Sequence, residues 1–584
     1  MSTAREGADS WGRRALGPAA VALVALAMLA WTWRKWADPI VDYGGELYVS
    51  WRLAEGDVLY RDLAYFTGPL SPYVNSLWMK LFGVSAMTLV FANLALLAIT
   101  LTLLYRRLAR IGGAFAAASA CVAFTVLCAF AIHQGGSNYN FVCPYSHETT
   151  HGTLLSLAAL AAFDSWQRRP TWLRAAGVGA LLGLVFLTKV EFTVALGAAL
   201  LAGLAAAPGS RREKLAGALA ALAAACAAPA LAFALLARAM PLADALRGVA
   251  GAWLYVADER VSGFPLYRVA MGLQPLEHHL TRVAAWGAGT AALLFALRAL
   301  ARRFGPWTLA LGSSAVAGAL FAALTWVDAF YPLAFCMLAC FVAAWRSAAN
   351  DFKRSPSVAF AAFALVLLLR QVLNARVQFY GFALAAPAVA LGVVALTNWI
   401  PASLGERARS FRAGVLPWIA AVLAGHLLPM AEGMRWKTIE LGRGGDRILA
   451  DPRGEFFANA VELVERRCPS DGTVLVLPEG AMANYLARRR APTRNFSYMP
   501  PELAMFGDEA VTRALQASPP DLVVLVHRDT LEYGVPFFGR DYARGLFEWI
   551  RANYQPIKLW SVVPGQRPLE PGTQFAVAVL ERKR

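Results

Sequence analysis

Residues 38–85 read DPIVDYGGELYVSWRLAEGDVLYRDLAYFTGPLSPYVNSLWMKLFGVS. They separate two blocks, 16–33 and 86–105, that are long and apolar enough to cross a bilayer. The segment between is amphipathic and aromatic, and is broken at Gly68-Pro69 and Ser71-Pro72. Its place in the chain makes it the first external loop, about 34–85, of a polytopic membrane protein. Segment 46–54 (ELYVSWRLA) is expected as a helix lying in the interface, its Trp and Tyr at headgroup depth. Asp42 and Glu46 are four residues apart, so on a helix both carboxylates turn the same way. Acids at the rim of a bilayer are costly and usually face a cavity; the plainer alternative is a pair of solvated loop acids.

The composition agrees with this reading. Of 584 residues, 58% are hydrophobic and 16% charged, with mean hydropathy +0.47. Soluble domains carry roughly 25% charged residues, so a cytosolic globular enzyme and a disordered chain are both excluded. The apolar blocks run from Leu16 to about Met430 and ordinary composition follows. The expected architecture is a polytopic α-helical membrane domain over 1–431 and a soluble extracytoplasmic α/β domain over 432–584. About thirteen spans fit: 16–33, 86–105, 113–132, 152–166, 174–188, 190–207, 215–237, 283–300, 307–326, 329–345, 357–372, 378–397 and 413–430. The first reads as an uncleaved helix rather than a signal peptide, because many spans follow it.

The net charge of +17 reflects topology rather than nucleic acid as a partner. Basic triplets recur in alternate loops, among them Arg106/Arg107/Arg110, Arg168/Arg169/Arg174, Arg211/Arg212/Lys214 and Arg407/Arg409/Arg412. They put the N-terminus in the cytoplasm, and an odd span count puts the C-terminal domain outside. The outer loops hold HQGGSNYNFVCPYSHETTH (133–151), a segment 238–282 with Asp258, Glu259, His278 and His279, and a stretch near 370–380 with Arg370, Arg376 and Tyr380. Outward arginines break the positive-inside pattern, and an anionic headgroup or phosphate is their natural ligand; snorkelling to the interface is the alternative. The seven cysteines form no framework. Five lie in apolar blocks, leaving Cys143 and Cys468 as the one conceivable disulfide.

The run Asp42, Glu46, AEGDVLYRD (54–62), GPLSPY (68–73) and LFGVS (81–85), followed by NYNFVCPYS (138–146), FLTKVEF (186–192) and QFYGFALAAP (378–387), resembles GT-C class glycosyltransferases. Among them it is most similar to bacterial relatives of dolichyl-phosphate-mannose protein mannosyltransferases and of the lipid A aminoarabinose transferase. The resemblance implies transfer of a sugar from a polyprenyl-phosphate donor to a hydroxyl acceptor of the cell envelope, with inversion, at the outer face of a bacterial cytoplasmic membrane. It makes Asp42 the general base. Two positions depart from the pattern: Thr67 stands where the aminoarabinose enzymes have Lys, and Asp42 is followed by Tyr43 rather than a second acid. The phosphate-binding cation is therefore open among Lys189, Arg370 and Arg376. Glu46 and Asp62 are expected to support the acceptor or shape the loop. Tyr139, Asn140 and Tyr145 are expected to line the cavity, with Tyr380 as a further contact. The chemistry needs a base near the acceptor hydroxyl and positive charge on the leaving phosphate. No nucleotide-binding loop is present, which suits a lipid-linked donor. The residues name no certain cofactor, and a divalent metal is left open.

Two other functions compete. A transporter or flippase for a polyprenyl-linked substrate would need the same cations but no base. His147-Glu148-Thr149-Thr150-His151 matches H-E-x-x-H, the helical zinc motif of metalloproteases; against it, no third ligand follows on the same side. In the C-terminal part, GTVLVLPE (472–479), PDLVVLVHR (520–528) and QFAVAVLERK (574–583) are expected strands, and 454–466 and 539–553 helices. Lacking any catalytic signature, that domain is expected to act as a lid or acceptor platform.

Overall fold

The computed structural model describes residues 2–132, 139–351, 355–377, 379, 381–563, 565 and 574–583, with side chains from Ala15 onward. Every expected span overlaps helix. The first helices are α1 (Ser2–Thr32), α2 (Tyr43–Ala54), α3 (Leu70–Phe82), α4 (Ala86–Phe124), α5 (His147–Arg168), α6 (Trp172–Phe186) and α7 (Val190–Ala206). The spans expected at 86–105 and 113–132 form one helical path, kinked where Gly113 takes a φ of 80° that only glycine adopts freely. Among the described residues, seven helices are long and apolar enough to cross a membrane, and three shorter apolar ones cover 172–186, 190–206 and 355–371. The helices Ser355–Leu367 and Ala386–Val394 are almost wholly buried, against α7 and α4 respectively. Outer helices expose Phe295, Trp307 and Leu311, as a lipid-facing surface requires.

At the end of the bundle that carries the basic triplets, Arg107 and Asp164 form a buried ion pair at 2.6 Å. Arg107 also donates to the carbonyls of Leu160 (3.2 Å) and Pro356 (2.7 Å). Pairing and hydrogen bonding together make charge tolerable at this depth, and they join α4, α5 and the 355–367 helix. The loops at the opposite end converge with the C-terminal part of the chain.

That part follows a helix running from Ala408 to Arg435. A hairpin of β1 (Ile439–Leu441) and β2 (Ile448–Ala450) precedes a four-stranded sheet of β3 (Val474–Leu477), β4 (Leu522–Val526), β5 (Tyr554–Ser561) and β6 (Ala576–Arg582), in the order β3-β4-β6-β5. Only β3 and β4 are parallel, with Leu477 opposite Leu525. The three strands expected from continuous apolar runs are present. The hairpin and β5 were not legible, since β5 alternates and only its first residue is fully buried.

Helix α2 does not lie in the membrane interface. Leu47, Tyr48, Trp51 and Leu53 are all under 5% exposed, because α2 is enclosed between α3 and the helix Ala481–Ala487. The Tyr48 hydroxyl accepts the Ala491 N–H (2.9 Å), and Trp51 meets Tyr485 edge to face. The approach is close enough that a Cβ on Gly44 would sit 2.4 Å from the Met482 nitrogen. Further bonds tie the two parts: Lys437 Nζ donates to the Ala37 carbonyl (2.8 Å), and the Ala64 N–H to that of Arg494 (2.8 Å).

This contact gives the first testable outcome. Gly44→Val must push α2 off a backbone atom, at a cost of about 1–3 kcal/mol. It should lower the thermal midpoint of the detergent-solubilised protein. Gly177→Ala, on an open helix face with nothing within 4 Å, should not.

Candidate functional site

Between the membrane helices and the C-terminal sheet lies a cavity of about 1260 Å³. Its walls come from the segments that the span parity puts on one side: the first loop, the start of α5, the α6–α7 turn, residues 252–271, Arg370, and the loops after β3 and β4.

Asp42, Glu46, Tyr145, Lys189 and Arg370 all line it, as does Glu148. Asp42 immediately precedes α2, but its carboxylate makes no capping bond to the helix. Burial, and then the nearby Glu479 charge, raise its pKa, against the opposing pull of Arg528. Glu46 is pushed up too, by burial and then by Glu148. One Glu46 oxygen is 2.6 Å from His147 Nδ1. The Asn93 amide nitrogen donates to the Val142 carbonyl and meets His147 Nε2 at 3.0 Å. Nε2 must therefore accept, so Nδ1 carries the hydrogen that it donates to Glu46. The Glu148 carboxylate accepts from Tyr65 (2.5 Å), Thr67 (3.0 Å) and Ser146 (2.8 Å).

Lys189 sits at the α6–α7 turn, where the chain leaves helical geometry. Its Nζ is 3.4 Å from Thr149 Oγ1 and lies over the Tyr145 ring. Arg370 stacks over Tyr267 and pairs with Glu191 at 3.8 Å.

Three expected cavity contacts, those of Arg376, Tyr139 and Asn140, are corrected, and Asp62 takes the loop-shaping one of its two expected roles. Arg376 is not in the cavity wall. It lies over Tyr331 and Phe379 and donates to Asn374 (2.8 Å). Asp62 is bound to Arg61 and accepts the Val58 N–H (2.8 Å), which shapes the loop instead of reaching the cavity. Tyr139 is buried with its hydroxyl on Thr150 (2.7 Å). Asn140 is wholly buried and folds a turn by accepting the N–H groups of Val142 and Cys143. The two histidines of H-E-x-x-H meet protein partners at three of their four ring nitrogens, and His151 Nε2 is left without one. His147 has both ring nitrogens engaged, and His151 Nδ1 faces Ser71 at 2.8 Å. No three His, Cys, Asp or Glu among the described residues are grouped to hold a metal. Tyr380 lies outside the described residues. All seven cysteines are free.

The sequence did not point to the acids and cations that the C-terminal part brings to the same walls. Glu479 Oε1 accepts the Asp42 N–H at 3.2 Å. Arg528 binds the other Glu479 oxygen (2.9 Å) and also Glu532 (2.8 Å). Asp38 pairs with Arg453 (2.6 Å). Glu479 and Arg528 each stand two residues beyond the ends of β3 and β4. Parallel strands aim such ends the same way, and open α/β sheets commonly bind ligands there. That was the one signal available.

No protein-family model matches the sequence, and no curated protein does. Solved structures do match in fold. The Archaeoglobus fulgidus oligosaccharyltransferase in complex with zinc and sulfate aligns at TM-score 0.50 and 14% identity, over 87% of this chain and 68% of that one. The same enzyme tethered to an acceptor peptide aligns at 0.51 and 12%, over 96% and 74%. Its apo form aligns at 0.51 and 14%, over 95% and 74%. The likeness is one of architecture: this chain has the GT-C fold.

Glu502, on the cavity wall, is pushed up to about 7 by burial and then by Glu479. A raised carboxyl favours the folded state at low pH, and that contribution fades as pH climbs from about 4.5 through 7. Glu502→Gln should therefore leave stability unchanged at pH 4 and raise it by about 3 kcal/mol at pH 8. Denaturation midpoints at the two pH values check this.

Proposed function

We propose that the protein is a membrane glycosyltransferase that moves a sugar from a polyprenyl-phosphate donor to a hydroxyl acceptor, with inversion, at the extracytoplasmic face of a bacterial cytoplasmic membrane. The observation that carries this reading is the meeting of Asp42 with Lys189 and Arg370 on one cavity within a GT-C fold. The oligosaccharyltransferase neighbours, one of them tethered to an acceptor peptide, support the same class of chemistry.

In this reading the donor phosphate lies against Lys189 and Arg370, and Asp42 faces the acceptor hydroxyl. As the acceptor oxygen attacks the anomeric carbon, its proton passes to the Asp42 carboxylate. The bond from that carbon to the phosphate oxygen breaks, and its electron pair leaves on the lipid phosphate, where the two cations receive it. Glu46 and Glu148, each fixed by hydrogen-bond donors, orient sugar hydroxyls, and Tyr145 backs Lys189. The chain's positive charge belongs to its loops: the cavity walls carry nine acids and five cations, which would repel a polyanion such as nucleic acid. Residues 1–431 supply the donor side, and 432–584 close the acceptor side.

Transfer of labelled sugar from a polyprenyl-phosphate donor in proteoliposomes tests the proposal. Asp42→Asn should reduce the rate about 10²- to 10⁴-fold, the span typical of a lost general base. Lys189→Met and Arg370→Met should weaken donor use. Near-wild-type transfer by Asp42→Asn would overturn the base assignment. Lipid movement across the bilayer without sugar consumption would make the protein a transporter.

A further inference from the structure

We propose that Glu479 and Arg528 of the C-terminal part are positioning residues for Asp42. Glu479 would fix the backbone that presents Asp42 and set a negative charge beside its carboxylate, so that the site is complete only when the two parts of the chain are docked. This rests on the reading of Asp42 as the base.

The first support is conformational. Asp42 has φ 64° and ψ −77°, the centre of a γ-turn closed by the Tyr43 N–H on the Val41 carbonyl (2.9 Å), a positive-φ conformation that costs a non-glycine residue free energy and persists only where its surroundings enforce it. The enforcing contacts come from both sides. The Gly45 N–H donates to the Asp42 carbonyl (2.8 Å), and the Asp42 N–H donates to Glu479 Oε1 (3.2 Å). Two residues on, Gly44 is pressed against Met482, three residues after Glu479. With its backbone held by Glu479 and its side chain making no cap on α2, Asp42 is free to serve the cavity.

The second support is electrostatic. Glu479 divides its oxygens, one to Asp42 and one to Arg528. Arg528 is shared with Glu532 and with the Asp529 carbonyl. The charges acting on Asp42 are Glu479, Asp38 and Glu532, opposed by Arg528. Asp38 is committed to Arg453 and to the N–H groups of Ile40 and Val41. Glu479 in turn feels Arg528 and Asp38, and its charge reaches Glu502 and Tyr542. A neighbouring negative charge makes a carboxylate hold a proton more readily, which is what a base taking a hydroxyl proton requires. In the transfer step Asp42 gains the acceptor's proton, and Glu479 neither gains nor loses one. Burial raises the Glu479 pKa, Arg528 opposes that rise, and their ion pair fixes the carboxylate in direction.

Glu479→Gln tests the charge apart from the geometry, since the amide oxygen can still accept the Asp42 N–H. In the full-length protein in proteoliposomes, the acid limb of kcat/KM for sugar transfer should move to lower pH by about half a unit or more. The plateau rate should fall several-fold. Glu479→Ala should lose about tenfold more, because the backbone contact goes as well. A wild-type pH profile in Glu479→Gln overturns the electrostatic role, and wild-type rates in Glu479→Ala overturn the positional one. A second readout needs no turnover: carbodiimide labelling of Asp42 as a function of pH, read by peptide mass spectrometry. Its midpoint should shift down in Glu479→Gln, and an unmoved midpoint sinks the proposal. A shifted midpoint with no transfer from any polyprenyl-phosphate sugar would sink the base reading and leave the coupling standing.

Discussion

Enclosure of α2 between α3 and the helix Ala481–Ala487 of the C-terminal part is the constraint on which the rest of the structure depends. Its Leu47, Tyr48, Trp51 and Leu53 are covered on both sides, and Gly44 lets the two layers come within backbone contact. Burying apolar surface at this seam, at about 25 cal/mol per Å², holds the cavity roof on its floor. Asp42 stands at the N-terminal end of that helix, so the depth and direction of its carboxylate follow from how the seam packs.

The membrane architecture was legible because hydrocarbon imposes one simple demand. Every backbone polar group must be satisfied within its own helix, so long Ala/Leu/Val blocks announce themselves, and alternating Arg triplets order them. The convergence of Asp42, Glu46, Tyr145, Lys189 and Arg370 was readable for the same reason: each lies at a helix end on the same side. Arg376, Tyr139, Asn140 and Asp62 lie in loops expected on the same side yet point elsewhere. A loop residue's direction is set by tertiary hydrogen bonds that no local pattern encodes. Asn140, for example, is taken up by the N–H groups of its own turn.

His147 and His151 mark the opposite limit. Their spacing matches a zinc helix, but a metal site also needs unoccupied ring nitrogens and a third ligand. Asn93 and Glu46, distant in sequence, occupy His147 instead. Glu479 was illegible for a related reason. It stands 437 positions from Asp42, within a strand-ending Leu-Pro-Glu-Gly that reads as an ordinary turn.

The burial of α2 gains a meaning from the order of synthesis. The Tyr48 hydroxyl finds the Ala491 amide 443 residues downstream. At about 5–20 residues per second, a nascent chain takes roughly 20–90 s to make that partner. Until then Trp51 and Leu47 lack the partners that bury them in the finished fold. The closing of the cavity over Asp42 therefore waits on the last-made part of the chain.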